Sequence, residues 1–314
     1  MLLILTSDQD FAADYLIVRL IERRLPYFRL NSEGLSQAKY TFALDDTSAT
    51  RKIGVGPRTL DLSAVTAVWY RRSIHPILDT SLTPAERHFV TGELRHLAMG
   101  LVLNPEVVWV NPIDRVSVAE HKLYQLQIAA RLGFHVPRTL VSADIDALRY
   151  FVSRNRLGTI CKPIFHGMFF DGSSHNAVYT RRIDAGSLNG LNVGSYPIFL
   201  QEEIARIADV RATFVGNYCF VADIVGDKSL VDWRDPNIAV NYAISSLDDI
   251  TLYRCRRMLT ELGLAYGAFD FIRAPSGDLV FLELNPTGEW AWLEESLGFA
   301  LRDAFIELLY KGEN

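Results

Sequence analysis

Hydrophobic and polar positions change in blocks that predict alternating strands and helices over the first third of the chain. Met1–Thr6 is an almost continuous apolar run and predicts a buried strand. Apolar residues then recur at helical spacing through Asp10–Arg24, and Val65–Tyr70 predicts another strand. Thr83–Glu86 predicts a helix start, because its threonine can cap, its proline suits the first position and its glutamate completes a capping box. This alternation predicts an α/β domain.

The middle of the chain predicts short strands around one helix. The pattern of Ser117–Leu132 predicts a helix that stops at Gly133, and Val107–Val110 predicts a strand in the link before it. Further strands are predicted at Thr139–Val141, Thr159–Pro163, Ala177–Arg182 and Ile198–Glu203.

The last third has an antiparallel pattern. Gly216-Asn217 is a two-residue hairpin signal between predicted strands Val210–Val215 and Tyr218–Ile224. A second predicted hairpin joins Ala268–Arg273 to Leu279–Leu284, and helices are predicted over Asp249–Leu262 and Leu301–Leu309. The pattern changes predict an N-terminal domain over residues 1–112, a central unit over 113–200 and a C-terminal unit over 201–314.

Composition excludes several classes of protein. Of 314 residues, 49% are hydrophobic and 22% charged, which is typical of a globular chain and not of a disordered or fibrous one. The net charge of −5 argues against nucleic-acid binding through bulk positive charge. Three scattered cysteines form neither a disulfide framework nor a zinc motif. No apolar run reaches the roughly 18 residues of a membrane span and no signal peptide is evident, so we predict a cytoplasmic protein without membrane contact.

The second hairpin contains the most informative polar residues. With its turn centred between Ser276 and Gly277, Asp270 lies opposite Glu283, and Asn285 points to the same face. Two facing carboxylates repel unless a cation lies between them, and an oxygen-only set favours Mg²⁺. The alternative is a solvated pair at a strand end, but the flanking residues are apolar.

Two lysines and a polar strand end are candidates for binding a nucleotide. Lys162 lies in an apolar strand just before a loop rich in glycine and serine, and Lys122 lies on the predicted helix. The segment Gln201–Ile204 ends a strand, where polar side chains and free backbone groups can contact a base and a ribose. Each signal alone also fits an ordinary surface residue.

Two acid–arginine motifs complete the candidates. Asp209 and Arg211 lie two residues apart on one strand face, and Arg211 can hold a phosphate or carboxylate in a bidentate manner. Asp232 and Arg234 flank a tryptophan in a connecting segment, which fits either a surface salt bridge or a grip on a peptide.

The order of these motifs resembles that of the ATP-grasp carboxylate–amine ligases. Several stretches resemble the graspetide synthetases, which are microviridin-type peptide macrocyclases: Val68–Arg72, His121–Gln125, Asp232–Arg234 and Glu283–Glu294. The resemblance implies the ATP-grasp fold: an N-terminal α/β domain followed by two α+β subdomains that clasp ATP.

The resemblance also implies roles for individual residues. Lys122 and Lys162 would contact ATP phosphates, Lys162 from the lid. Lys162 and Arg211 would act in catalysis, with Arg211 facing the transferred phosphate or the acyl phosphate of the peptide. Asp232 and Arg234 would contact the precursor peptide. Further implied roles are adenine and ribose contacts for Gln201, Glu202, Glu203, Ile204 and Asp209, and Mg²⁺ binding for Asp270, Glu283 and Asn285.

The implied activity is ATP-dependent activation of Asp or Glu side chains in a ribosomal precursor peptide, followed by ω-ester or ω-amide ring closure. A homodimer is expected from the resemblance alone. Glu289 departs from the family pattern, where a neutral polar residue is expected, and His166 has no assigned role. Two alternatives remain open: a RimK-like ligase that adds amino acids to a peptide or small acid, and a nucleotide-binding regulatory module without turnover.

Overall fold

The computed structural model describes residues 1–46, 48–72, 74–165, 168–170, 175–178, 180–190, 196–226 and 239–310. The chain begins with a parallel four-stranded sheet in the order β2-β1-β6-β7, consisting of β1 (Leu2–Thr6), β2 (Tyr27–Asn31), β6 (Ala67–Tyr70) and β7 (Val108–Val110). Helices α1 (Phe11–Glu22) and α2 (Pro84–Val102) accompany it. The predicted α/β pattern and the capping box at Thr83 are confirmed.

The sequence analysis missed a separate antiparallel sheet, whose strands follow β2 and precede β6 along the chain. It consists of β3 (Lys39–Leu44), β4 (Ala49–Val55) and β5 (Arg58–Asp61). Most residues of β3 are exposed, so the strand lacks the alternation of buried and polar positions that marks a half-buried strand.

The single helix predicted over Ser117–Leu132 is wrong, because two helices replace it. Helix α3 spans Ile113–Ala119 and α4 spans Lys122–Arg131, and His121 between them has an extended backbone. The amide of Gln125 donates to the carbonyl of Ala119, so a side chain satisfies a backbone group at the end of α3.

The central unit is built around an antiparallel sheet in the order β12-β9-β13-β8. Its elements are β8 (Thr139–Ser142), α5 (Ile145–Arg154), β9 (Thr159–Lys162), β12 (Arg181–Ile183) and β13 (Ile198–Glu202), and a separate two-stranded ribbon pairs β10 (Met168–Phe170) with β11 (His175–Ala177). The strand predicted over Ala177–Arg182 is therefore wrong, since its ends belong to different sheets.

The C-terminal unit has a five-stranded antiparallel sheet in the order β16-β15-β14-β17-β18. Its elements are β14 (Ala208–Val215), β15 (Tyr218–Val225), β16 (Asn241–Ile244), α6 (Asp249–Leu262), β17 (Tyr266–Arg273), β18 (Leu279–Asn285), α7 (Ala291–Leu297) and α8 (Leu301–Leu309). Both predicted hairpins are confirmed. Helix α6 begins at an Asp248 cap and ends at Gly263, whose φ of 69° is the left-handed conformation that glycine adopts readily.

One hydrophobic core joins the two ends of the chain. Trp69 of the N-terminal sheet packs on Phe305 of α8 and on Trp290, with ring centroids 5.2 and 6.5 Å apart. The first sheet is therefore held against the segment that follows β18. Within the part of the chain that the structure describes, no helix combines the length and apolarity needed to cross a membrane.

Candidate functional site

A bulge brings the two central carboxylates opposite each other. Near the turn, Phe271 pairs with Phe281, but beyond an irregularity at Asp270/Phe271 the pairs are Asp270 with Glu283 and Phe269 with Leu284. A regular continuation of the near-turn register would place Leu282 opposite Asp270. The predicted pairing of Asp270 with Glu283 is correct, but its reason differs. The prediction assumed a uniform register along the hairpin, whereas in the structure one extra residue in β18 shifts the register and brings the two carboxylates opposite each other.

Asn285 and two cations surround this carboxylate pair. The Asn285 amide nitrogen donates to Asp270 Oδ2 at 2.9 Å and lies 3.5 Å from Glu283 Oε1. Arg211, which is the register partner of Asp270 on β14, places Nε 3.3 Å from Asp270 Oδ1. Lys122 Nζ lies 3.4 Å from Glu283 Oε2. Each carboxylate therefore has its own cation.

The side chain of Arg211 has capacity for an anion. It is 6% exposed, and its Nε and Nη1 atoms have no hydrogen-bond partner despite the nearby Asp270 carboxylate. A buried guanidinium with unsatisfied N–H groups is costly unless an anion completes its shell. A phosphate or carboxylate bound beside Asp270 would do so.

The side chains at this hairpin fit a hard divalent cation only with added ligands. Among the described residues, no cluster of three or more His, Cys, Asp and Glu side chains is placed to bind a metal. Asp270 and Glu283 supply two carboxylates, and Asn285 supplies an amide oxygen. Mg²⁺ prefers six oxygens and often takes the remainder from phosphates and water, so the donor set suits Mg²⁺ bound together with a nucleotide.

Gln125 connects the helix that carries Lys122 to the strand that carries Glu283. Its amide nitrogen donates to Leu284 O at 2.7 Å, and its amide oxygen accepts from Leu284 N at 2.8 Å. Gln125 is almost completely buried. Because the same side chain also caps α3, it holds Lys122, the first residue of α4, in place beside Glu283.

Lys162 and Gln201 lie on one face of the central sheet. Phe199 is the register partner of Lys162, whose Nζ lies 5.1 Å from the centre of the Phe199 ring, and Gln201 follows Phe199 by two residues. Gln201 is 0% exposed and donates to Thr139 Oγ1 at 2.9 Å, but its amide oxygen has no hydrogen-bond partner. This face thus offers a buried acceptor near a lysine.

The acidic side chains of Glu202 and Glu203 pair with arginines. Glu202 accepts from the backbone N–H of Arg138 and from its guanidinium, at 2.9 and 2.8 Å. Burial opposes ionisation of Glu202, but these donors outweigh it and lower its pKa. Glu203 accepts from Arg182 at 2.6 Å. Their side chains are therefore occupied, and a contact with a base would use the backbone up to Ile204.

Of the two predicted acid–arginine motifs, one lies in the part of the chain that the structure describes and the other does not. Asp209 and Arg211 are both on β14 and share a face, and Asp209 pairs with Arg206 at 3.2 Å. Asp232 and Arg234 lie outside the described residues, as do His166 and the glycines at 167 and 172. Their predicted roles stay predictions.

Comparisons with known proteins agree with this architecture. A model of the MvdD pre-ATP grasp domain matches residues 1–117. The chain is similar to the macrocyclase MdnC of Microcystis aeruginosa MRC, solved with the precursor peptide MdnA, with a TM-score of 0.88, 27% identity and 99% of each chain covered. It is also similar to MdnB of the same organism, with a TM-score of 0.84, 27% identity and the same coverage. The chain has the fold of the ATP-grasp ligases.

A third similar structure is a Chryseobacterium gregarium RiPP-associated ATP-grasp ligase in complex with ADP, and a leader and core peptide. Its TM-score is 0.88 at 21% identity, with 99% of this chain and 96% of that chain covered, and it supports the fold. The comparison with curated protein sequences gave no match. The predicted ATP-grasp fold and the resemblance to peptide macrocyclases are confirmed.

The sequence analysis missed a charged cluster at the carboxyl end of the first sheet. Arg71 bonds both oxygens of Asp10 at 3.2 Å and the carbonyls of Thr287 and Gly288 at 3.0 and 3.2 Å. Burial opposes ionisation of Asp10, but Arg71 outweighs it and lowers its pKa to about 2. Glu289 joins the cluster through Arg71 and Arg72. The signal was the pair of adjacent arginines directly after a buried strand.

Proposed function

We propose that this ATP-grasp ligase activates Asp or Glu side chains of a ribosomal precursor peptide as acyl phosphates and closes ω-ester or ω-amide rings within that peptide. The observation that carries the proposal is the pairing of Asp270 with Glu283 between Arg211 and Lys122. The similar macrocyclases MdnC and MdnB, at 27% identity over 99% of the chain, support the same substrate class.

ATP would lie between the central sheet and the C-terminal sheet. Lys122 and Lys162 would neutralise phosphate oxygens, the buried Gln201 oxygen would accept from the base, and the backbone of 202–204 would line it. The segment from Glu203 to Asp209 would lie along the ribose. Asp270, Glu283 and Asn285 would hold Mg²⁺, which supplies charge neutralisation for phosphoryl transfer.

Arg211 would stabilise the charge that develops during phosphoryl transfer. Both the attacking carboxylate and the γ-phosphate are anionic, so bringing them together requires local positive charge in a site with little water. The buried, incompletely bonded guanidinium of Arg211 meets that requirement. Asp270 orients it through the contact at Nε.

The reaction balances in two steps. The peptide carboxylate oxygen attacks the γ-phosphorus, the bond to the β–γ bridging oxygen breaks, and ADP leaves. A Ser or Thr hydroxyl, or a Lys amine, then attacks the acyl carbon, loses its proton and expels phosphate. Each ring closure therefore converts one ATP to ADP and phosphate and removes the elements of one water molecule from the peptide.

Mass spectrometry and ADP release together test this function. The probe is a peptide encoded by a short open reading frame beside the gene, chosen for clustered Thr, Ser or Lys and Asp or Glu near its end, and incubated with ATP and Mg²⁺. We expect the peptide mass to fall by one water per bond, with one ADP formed for each. A gain of an amino-acid residue mass would instead indicate a RimK-like ligase. Nucleotide binding without ADP formation would indicate a regulatory module, and either result would overturn the proposal.

We also propose that the chain works as a homodimer in the cytoplasm. The homodimer rests on the family resemblance, and light scattering of the purified protein tests it. The cytoplasmic location is supported by the cysteines at 161, 219 and 255, which are free thiols and suit a reducing compartment. Fractionation of the producing cells tests the location.

A further inference from the structure

The cluster at the carboxyl edge of the N-terminal sheet contains two arginines that differ in hydrogen bonding. Every N–H group of the first has a partner, whereas most N–H groups of the second have none in the described part of the chain. Arg71 is 1% exposed, and all five of its N–H groups have partners: two on Asp10, two on backbone carbonyls and one on Glu289. Asp10 is itself 0% exposed and also accepts from Thr6 Oγ1. Arg71 therefore has no capacity for a ligand and serves to join the domains.

Arg72 differs from its neighbour. Its side chain is 38% exposed and, among the described residues, its hydrogen bonding is limited to one N–H donated to Glu289 Oε1. Its Nε lies 3.7 Å from Asp10 Oδ2, which is an ion pair without a hydrogen bond. Most of the guanidinium donors of Arg72 thus make no hydrogen bond to the described residues, and their planar fork matches the geometry of a carboxylate.

Glu289 occupies this fork incompletely. Its Oε1 atom accepts from both Arg71 and Arg72, so its carboxylate binds Arg72 through one oxygen only. The side chain of Glu289 is 43% exposed. The Arg72–Glu289 contact is half-exposed and contributes little stability by itself, so an incoming carboxylate that binds Arg72 through two oxygens, and also accepts the Arg71 N–H that Glu289 releases, can displace Glu289.

The position of the cluster suits a substrate group. Asp10 and Arg71 follow the adjacent parallel strands β1 and β6, and ligands of open parallel sheets bind beyond the carboxyl ends of the strands. Arg71 also bonds the backbone of 287–288, directly after Asn285. Glu289 is the fourth residue after Asn285, so their Cα atoms lie at most about 14 Å apart. A peptide held at Asp270 can reach Arg72.

Charge balance means that Arg72 can hold either the carboxylate of Glu289 or a substrate carboxylate, but not both. Arg71 and Arg72 carry two positive charges, and Asp10 and Glu289 carry two negative charges. A substrate carboxylate added to this neutral set leaves an excess negative charge unless Glu289 moves out to solvent. We propose that Arg72 is a receptor for an acidic side chain of the peptide substrate and that Glu289 is a built-in competitor that weakens this binding. The inference deepens the proposed function and depends on it for the substrate class.

The test measures peptide binding without turnover. The probe is a short fluorescein-labelled peptide of alternating Asp and Thr, titrated by anisotropy in the absence of nucleotide, with an Asn/Thr peptide as the neutral comparison. Glu289→Gln removes the competing charge but keeps an acceptor for Arg71. We expect it to tighten binding of the acidic peptide about three- to fivefold, equivalent to breaking one exposed ion pair. Glu295→Gln, an exposed neighbour, is the matched control and should change binding little.

Arg72→Gln separates a specific receptor from a general charge effect. We expect it to weaken acidic-peptide binding, and we expect the double variant with Glu289→Gln to show no gain over Arg72→Gln alone, since the competitor then has no site to block. Equal tightening in Glu289→Gln and Glu295→Gln, a gain that survives loss of Arg72, or no acidic-peptide binding in any variant would overturn the inference.

The two proposals fail in different ways. If the chain crosslinks its precursor but Glu289→Gln leaves peptide binding unchanged, the carboxylate receptor is wrong and the ligase function stands. If Glu289→Gln and Arg72→Gln shift peptide binding as expected but no ADP or crosslink forms, the receptor stands and the proposed reaction is wrong.

Discussion

Lys122 Nζ lies 3.4 Å from Glu283 Oε2, so the first residue of α4 neutralises one of the two carboxylates proposed to bind Mg²⁺. Arg211 likewise neutralises the other carboxylate, since its Nε lies 3.3 Å from Asp270 Oδ1. The four charges sum to zero, and either Mg²⁺ alone or nucleotide alone would disturb that balance. If Mg²⁺ and nucleotide bind as proposed, the two carboxylates would hold the metal, and Lys122 and Arg211 would neutralise phosphate oxygens.

We therefore expect Mg²⁺ and nucleotide to bind cooperatively. Calorimetric titration with a non-hydrolysable ATP analogue should give an affinity at least about tenfold higher with Mg²⁺ than with EDTA, a coupling of about 1.4 kcal/mol. Equal affinities under both conditions would show that the carboxylate pair does not respond to the metal.

Removing either carboxylate tests the metal assignment directly. We expect Asp270→Asn and Glu283→Gln each to lower ADP formation at least about a hundredfold, because each would remove one of the two carboxylates proposed to hold Mg²⁺. Asp278→Asn, in the exposed turn of the same hairpin, is the matched control and should retain activity. Circular dichroism must show that the variants are folded. Activity near that of the unmodified protein in either variant would contradict the assignment.

Gln125 should contribute strongly to stability through its buried amide. Gln125→Leu removes the cap on Ala119 O and both bonds to Leu284, and leaves buried backbone groups unpaired. We expect a loss of about 2–4 kcal/mol in the free energy of unfolding, measured by urea denaturation. Gln127→Leu on the exposed side of α4 should change stability by less than about 0.5 kcal/mol. Similar losses in both variants would show that the bridge is unimportant.

The Asp10–Arg71 pair predicts a specific acid sensitivity. The pKa of Asp10 is about 2 in the folded chain, against an ordinary value of 3.8. Because the folded pKa is lower, the stabilisation is complete above pH 3.8 and is lost as the pH falls from there towards 2. We expect this loss to amount to about 2 kcal/mol.

Asp10→Asn should remove this part of the pH dependence while lowering stability at neutral pH by about 3–5 kcal/mol, since Arg71 keeps a buried charge without its partner. Asp146→Asn, on the exposed surface, serves as the control. Other carboxylates titrate in all three proteins, so the difference between their stability curves isolates Asp10. Parallel curves for the unmodified protein and Asp10→Asn would contradict the pairing.

Gln201 should influence which base is accepted. Its buried oxygen has no partner and would accept from the amino group of adenine, whereas guanine presents a carbonyl at that position. We expect Gln201→Leu to raise the KM for ATP about tenfold and to leave the KM for GTP nearly unchanged, because an unmet buried polar group costs about 1–3 kcal/mol. An unchanged ratio of the KM for ATP to the KM for GTP would show that Gln201 does not contact the base. Thermal melting must show that the variant remains folded.

The boundaries of several elements were predictable from local chemistry. The cap at Asp248 and the glycine at 263 define α6, and the Gly216-Asn217 turn defines the hairpin of β14 and β15. In each case the information lies within a few residues, since caps and turns satisfy nearby backbone groups. The short helix α7 and the exposed sheet of β3–β5 were missed, because their patterns are short or mostly polar. Helix α5 was missed although Asp144 caps it and its apolar residues recur at helical spacing.

The sequence by itself determined the residue types of the site: a carboxylate pair on one hairpin, an asparagine on the same face, and the lysines and arginine that match them. Only the tertiary structure decided which cation meets which carboxylate. A bulge at Leu282 set the pairing of Asp270 with Glu283, and the break between α3 and α4 brought Lys122 to Glu283 through Gln125. Such contacts join residues far apart in the chain, so packing and not local propensity determines them.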